Sequence, residues 1–189
     1  MFEFMLTNFA LHVTLYKAEQ SLIQSALQVK TIKKNKVLLS SGEVCRNIYF
    51  INRGCLRIYH TDKHGAEHNN SFCPENWWAV DIASFSHQSP AFYAIAALED
   101  TELFYLSHSA LEKLYLEVPK LERFFRILTQ NAFNLYQRRI TYALSKTAEE
   151  RYLAFCKQYP GLEQRVAQKQ IASYLGITPI FLSRLRKQR

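Results

Sequence analysis

Eighteen residues from Gln168 to Leu185 carry the side chains best suited to chemistry with a partner. Ile171 and Leu175 stand four apart, Ile177 follows at a corner, and Leu182 and Leu185 stand three apart, so two short helices can share one core. Ala172 is small where the helices cross, and Gly176 accepts the positive φ that ends the first of them. Thr178 is a good N-cap and Pro179 a good first helical residue, which gives the second helix a defined start. Its outward face presents Thr178, Pro179, Ile180, Ser183, Arg184 and Lys187, with Phe181 between faces. Such a helix can lie in the major groove of a duplex, where the planar fork of Arg184 matches guanine O6 and N7. Gln168, Lys169 and Ser173, with Arg186 and Arg189, are placed to meet phosphates, which fix position without reading sequence. A small packing unit whose charges merely face water is the competing reading. It leaves the agreement of small Ala, turn Gly, N-cap and hydrophobic spacing unexplained.

The charge distribution favours a polyanionic partner. Lys and Arg number 24 against 16 Asp and Glu, for a formal net charge of +8. From Ser145 onward nine bases face three acids, so the tail holds +6 and the preceding 144 residues only +2. A near-neutral body with a basic end predicts two domains and puts the contact in the tail. At 48% hydrophobic residues, with 13 Phe and 11 Tyr, the chain can bury a sizeable core and is not disordered. The uncharged run Phe4 to Tyr16 is too short to span a bilayer, so a cytoplasmic protein without membrane contact is expected. Cys45, Cys55, Cys73 and Cys156 lack compact ligand spacing and read as small, half-buried thiols. No Ser/His/Asp constellation, P-loop or paired-carboxylate motif occurs, so no enzyme is expected.

The elements that must position the tail follow from periodicity. Gly42, Gly54 and Gly65 punctuate the short runs Val37-Leu38-Leu39, Ile48-Tyr49-Phe50-Ile51 and Leu56-Arg57-Ile58-Tyr59, which is a strand-and-turn rhythm. Further strands are predicted around Asn69 to Cys73, Ala91 to Leu98 and Glu102 to Leu106, making a β-sandwich or jelly roll. Leu15, Ala18, Leu22, Ala26 and Val29 predict one helix packed on it. After Pro119, Leu121, Phe125, Leu128, Ala132, Leu135, Arg139 and Tyr142 alternate steps of four and three, a heptad-like seam. Phe124, Ile127 and Phe133 lie off that line, so the helix is expected to cover the barrel on one side and meet a twin helix on the other. Thr147 to Glu150 fits a capping box, opening a compact three-helix unit. The predicted fold is α+β: a jelly roll over 1–118, a central dimerisation helix over 119–145 and a helix-turn-helix unit over 146–189, with a hinge near Ser145-Lys146.

Taken together, these residues resemble the cAMP receptor protein/fumarate-nitrate regulator (Crp/Fnr) superfamily of bacterial transcription factors, over essentially the entire chain. The resemblance rests on Leu38 and Gly42 ahead of Ile48-Tyr49-Phe50-Ile51-Asn52-Arg53-Gly54, on Leu56-Arg57-Ile58 and Gly65, on the long central helix, on Ala148-Glu149-Glu150-Arg151-Tyr152 and on the terminal helix-turn-helix. It implies a cyclic-nucleotide-binding-like jelly roll, a dimerising helix, a winged-helix-type DNA reader and an allosteric link between the first and the last. The implied partners are a palindromic double-stranded operator, a second copy of the chain, RNA polymerase and a small-molecule effector of unknown identity. Family members that bind cyclic nucleotides carry Gly-Glu in a phosphate-binding cassette and, about ten residues on, Arg followed by Ser or Thr. Val80-Asp81 and Ala91-Phe92 stand at those places here, so a buried phosphate would lack its bidentate partner and neither cyclic AMP nor cyclic GMP is expected to bind.

The same stretch is rich in Trp77, Trp78, Phe85, Phe92 and Tyr93, which allows an apolar effector pocket. Tyr136 and Gln137 fall where family members touch their ligand. The candidate pocket is therefore Trp78, Asp81, Ala91, Phe92, Tyr93, Tyr136 and Gln137. His60, His64 and His68 straddle the Asp62 to Gly65 turn, so no metal site is expected, and the N-terminal cysteine cluster of the iron-sulfur branch is missing. An alternative reading is a ligand- or redox-responsive interaction module that has lost specific DNA recognition. Apolar Pro179, Ile180 and Phe181 at the start of the second helix, and the little chain left for a wing after Lys187, motivate it.

Overall fold

The computed structural model describes residues 2–187. Two helices, α1 (Glu3–Ala10) and α2 (Lys17–Ala26), precede the strands β1 (Gln28–Ile32), β2 (Val37–Leu39), β3 (Asn47–Arg53), β4 (Leu56–Thr61), β5 (Glu67–Cys73) and β6 (Trp78–Ala79). Then come α3 (Ile82–His87), β7 (Ala94–Ala97), β8 (Thr101–Ser107), α4 (His108–Glu117) and the long α5 (Lys120–Ser145). The chain continues as α6 (Ala148–Gln158), α7 (Leu162–Arg165), α8 (Gln168–Leu175) and α9 (Pro179–Lys187). The strands form two antiparallel four-stranded sheets, β1-β8-β3-β6 and β2-β7-β4-β5. One core unites them: Phe50, Ile51, Leu103 and Phe104 from the first sheet pack with Leu56, Ile58 and Ile95 from the second. This is the jelly-roll arrangement that the glycine rhythm predicts. Glycine is obligatory at the β3–β4 turn, where Gly54 has φ +99° and a Cβ would sit 2.6 Å from Thr101 Oγ1 and 2.7 Å from the Asp100 carbonyl oxygen.

The helical layer departs from the periodicity in two places. The face predicted from Leu15 to Val29 is out of register: Ile23 is the buried residue of α2 and Leu22 is exposed. The helix stops at Ala26 because Gln28 to Ile32 pair residue for residue with β8, which leaves Val29 on an outer strand, 54% exposed. The seam of α5 is also reassigned. Leu121 and Phe125 are buried in the chain's own core with Phe124, and Leu128 packs against it. An aromatic cluster occupies that side, with Phe9 at 4.5 Å from Phe124 and Trp78 at 5.2 Å from Phe125. Arg139, also on the predicted line, is hooked to β5 and α8. The unpartnered apolar ridge lies farther along and turned aside: Phe133, Ile140 and Leu144 are 60%, 62% and 84% exposed. Their spacing of seven and four is that of a two-helix contact.

Candidate nucleic-acid interface and effector cavity

The C-terminal unit starts where the sequence places it. Lys146 is extended after α5, Thr147 Oγ1 accepts from the Glu150 amide at 3.2 Å, and the Glu150 carboxylate accepts from the Thr147 amide at 2.8 Å. A one-turn helix, α7, is added to the expected three. α8 ends on Gly176 at φ 66°, with the Ile177 amide donating back to the Ala172 carbonyl. Thr178 Oγ1 then accepts from the Phe181 amide at 3.2 Å and opens α9. Ile171, Ala172, Leu175 and Leu182 are buried, Ile177 is half-buried against them, and Leu185 is half-buried at the end. The two helices meet at a sharp corner, as a helix-turn-helix requires.

Of the predicted duplex contacts, Gln168, Lys169, Thr178, Pro179, Ile180, Arg184 and Lys187 are exposed, Ile180 at 70%. Ser183 and Arg186 are half-buried, Phe181 is exposed, and Arg189 lies outside the described residues. Ser173 is a correction. Its hydroxyl donates to the Glu67 carbonyl at 2.8 Å and accepts from the Asn69 amide at 3.0 Å, so it fastens α8 to β5 and does not point to a phosphate.

That fastening is extensive and its residues had no local signal in the sequence. Asn69 Nδ2 donates to the Gln170 carbonyl at 2.9 Å and to Gln170 Oε1 at 2.7 Å, and Arg57 joins them while pairing with Glu67 at 2.7 Å. Arg165 at the end of α7 bridges Glu75 and Glu99, each at 2.7 Å. Phe72 of β5 inserts among Phe155, Tyr159 and Tyr174. Burial alone would raise the Glu75 carboxyl, but hydrogen bonds from Arg165 and from backbone amides outweigh it and hold the group below its ordinary 4.5. Glu99 and Glu75 together raise the Arg165 guanidinium further above its usual range.

A cavity of about 840 Å³ opens between the jelly roll, α5 and the C-terminal helices. Asp81, Tyr93 and Tyr136 of the predicted pocket line it. Trp78, Ala91, Phe92 and Gln137 do not. Trp78 donates from Nε1 to Asn8 at 3.0 Å and packs on Phe9 and Phe125, Ala91 is buried behind Gly42, Phe92 stacks on His60 at 4.3 Å, and Gln137 is exposed. One Asp81 oxygen accepts from the Ser84 amide and the other from the amides of Phe92 and Tyr93, so this carboxylate closes the loop on itself. No cation stands at Ala91 to receive a phosphate.

Other candidate chemistry is dispersed. His60 and His68 face each other across β4 and β5, yet His68 bonds Asp62 at 2.8 Å and His60 lies flat on Phe92. Among the described residues no group of three or more His, Cys, Asp or Glu could hold a metal ion. Burial raises the Cys45 and Cys55 thiols and pushes Cys73 up to about 12, which disfavours the reactive thiolate. Among the described residues no helix is long and apolar enough to cross a membrane.

A model of the cyclic nucleotide-binding domain matches residues 29–117. The fumarate and nitrate reduction regulatory protein of Vibrio cholerae is 28% identical over 174 residues, covering 82% of this chain and 66% of its own length. The solved structure of FixK2 from Bradyrhizobium japonicum superposes with a TM-score of 0.75 at 19% identity, over 86% of this chain and 83% of that one. A Crp/Fnr-family regulator from Eubacterium rectale gives 0.71 at 19% identity, over 92% and 83%. At such identities the two structures speak to the fold.

Proposed function

We propose that the chain is a member of the Crp/Fnr superfamily and a dimeric DNA-binding transcriptional regulator whose jelly roll biases the placement of two reading helices. The observation that carries the reading is the corner at Gly176. It leaves Ile180, Arg184 and Lys187 exposed along one face of α9 and Thr178 exposed at its cap, while Leu182 on the other face is buried with Ile171 and Leu175 of α8. An exposed, capped, cationic helix held by a buried partner helix is the arrangement that reads a major groove. Ile180 and Phe181 add apolar surface that can meet thymine methyl groups. The second copy packs along Phe133, Ile140 and Leu144, in place of the seam expected from the heptad count. Control is exerted without catalysis, on a palindromic operator in the cytoplasm and through RNA polymerase. The effector is neither cyclic AMP nor cyclic GMP, because Asp81 is committed to its own loop and Ala91 brings no charge.

Selection from a pool of random duplexes tests the proposal. Enrichment of a palindrome is the expected result. Affinity that is salt-sensitive and blind to sequence would instead assign the chain to the interaction modules that have lost specific recognition.

A further inference from the structure

We propose that the cavity between the jelly roll and the C-terminal helices binds a small anion with a flat apolar body, gripped on its hinge side by Arg151, Arg138 and Lys157. The inference rests on the regulator reading and names the chemical class of its effector.

The lining is unbalanced in charge. Arg138 and Arg139 from α5 and Arg151 and Lys157 from α6 contribute four cations, against one carboxylate, Asp81, whose two oxygens are already taken by backbone amides. Two arginines that tie other elements together are paired with acids: buried Arg57 has Glu67, and Arg165 has Glu75 and Glu99. Among the described residues none of the four cavity cations forms an ion pair. Arg139 is satisfied by neutral oxygens, donating to Asn69, Asn70 and Tyr174, and stacks on the Tyr174 ring at 4.3 Å. Arg151 is not satisfied. Its Nη1 donates to the Lys146 carbonyl at 2.9 Å, while its Nε is buried without an acceptor. A buried donor without a partner is costly, and an anion in the cavity that turned the guanidinium toward itself would relieve that cost.

The remaining wall sets the rest of the ligand. Tyr93, Tyr136, Tyr142 and Phe155 are among its lining residues, and the volume suits a body of small-molecule size. This cation set is separate from the stretch between Val80 and Phe92 that would hold a cyclic phosphate. It also spans the hinge, because Arg138 precedes and Arg151 follows Ser145 and Lys146. An anion touching both sides favours whichever helix-turn-helix orientation brings them together, and shifts the population of conformers accordingly.

The test titrates the full chain, without DNA, with anilinonaphthalene sulfonate and follows the dye's fluorescence. Saturable binding is expected, displaced by naphthalene sulfonate but not by neutral naphthalene methanol, and weakened by added salt. Arg151→Met should weaken the dye about tenfold and Lys157→Met about threefold, as loss of a charge-assisted and of a more exposed contact respectively. Lys157→Met makes no demand on the fold, since Lys157 is exposed, so it serves if Arg151→Met disturbs the Lys146 contact. Equal displacement by the neutral competitor, or wild-type dye affinity in both variants, would overturn the proposal. So would weaker duplex binding on every sequence in Arg138→Met and Lys157→Met with the dye unaffected, because these cations would then be phosphate contacts. Palindrome selection by the unaltered chain is independent of all these outcomes, so failure here leaves the regulator reading standing.

Discussion

Arg184 and Lys187 sit three residues apart near the end of α9, both exposed, and a duplex asks different things of them. The guanidinium fork of Arg184 can engage two acceptors of one base, whereas the Lys187 ammonium is a point charge suited to phosphate. Arg184→Ala is therefore expected to cost roughly 1–3 kcal/mol on the selected site and to relax preference at one base position. Lys187→Ala should weaken all sequences alike and reduce the salt slope by about 1. Affinities on the selected duplex and its point variants, each at several salt concentrations, separate the two effects. Equal loss on every sequence from both substitutions would remove Arg184 as the base reader. Thr178, Pro179 and Gly176 were legible in the sequence because a cap, a first-turn proline and a positive-φ glycine act within a few residues of themselves. Ser173 was not, because what uses its hydroxyl is a backbone amide 104 residues away, and no local pattern announces such a partner.

Between elements, the decisive contact is the clasp of α7 and α8 on the jelly roll, made by Arg165 on Glu75 and Glu99 and by Gln170 and Ser173 on β5. Glu75 has a lowered folded-state pKa, so its contribution is present above the ordinary value of 4.5 and is lost as pH falls below that value toward the folded one. Hydrogen exchange should thus show amides of α7 and α8 losing protection on acidification before those of the β3–β8 ladder. Arg165→Met should abolish that pH dependence while leaving the ladder unchanged. An identical acid response in the variant would place the sensitivity elsewhere. The strands were legible element by element because turn glycines and β-branched runs are local. The failures arose where a packing partner overrides periodicity: β8 draws Val29 out of the helical pattern into β1, and Phe9 and Trp78 claim the face of α5 that heptad counting assigns to a second copy. The cavity was half legible, through Asp81, Tyr93 and Tyr136. Its cations on α5 and α6 converge only once the hinge has folded back.

For the whole molecule, the proposed function reduces to geometry between two copies. In that proposal each chain contributes one α9, and pairing along α5 holds two of them at the spacing of successive major grooves. Phe133, Ile140 and Leu144 are the apolar side chains available for that pairing, since Leu121 and Phe125 are spent inside the chain. Buried pairing there would remove from water a ridge that is otherwise costly to expose. The proposal then makes the clasp and the Ser145-Lys146 hinge decide whether the two reading helices are correctly aimed, with a ligand across the hinge tipping that balance. The central claim is met most directly by footprinting on the selected palindrome, comparing the unaltered chain with one carrying Phe133→Glu and Leu144→Glu, substitutions at exposed positions that leave the core and the cavity lining intact. The unaltered chain should protect two half-sites about 34 Å apart, and the doubly substituted chain should lose the paired pattern. A single protected half-site from the unaltered chain, or a paired footprint that survives both substitutions, would contradict it.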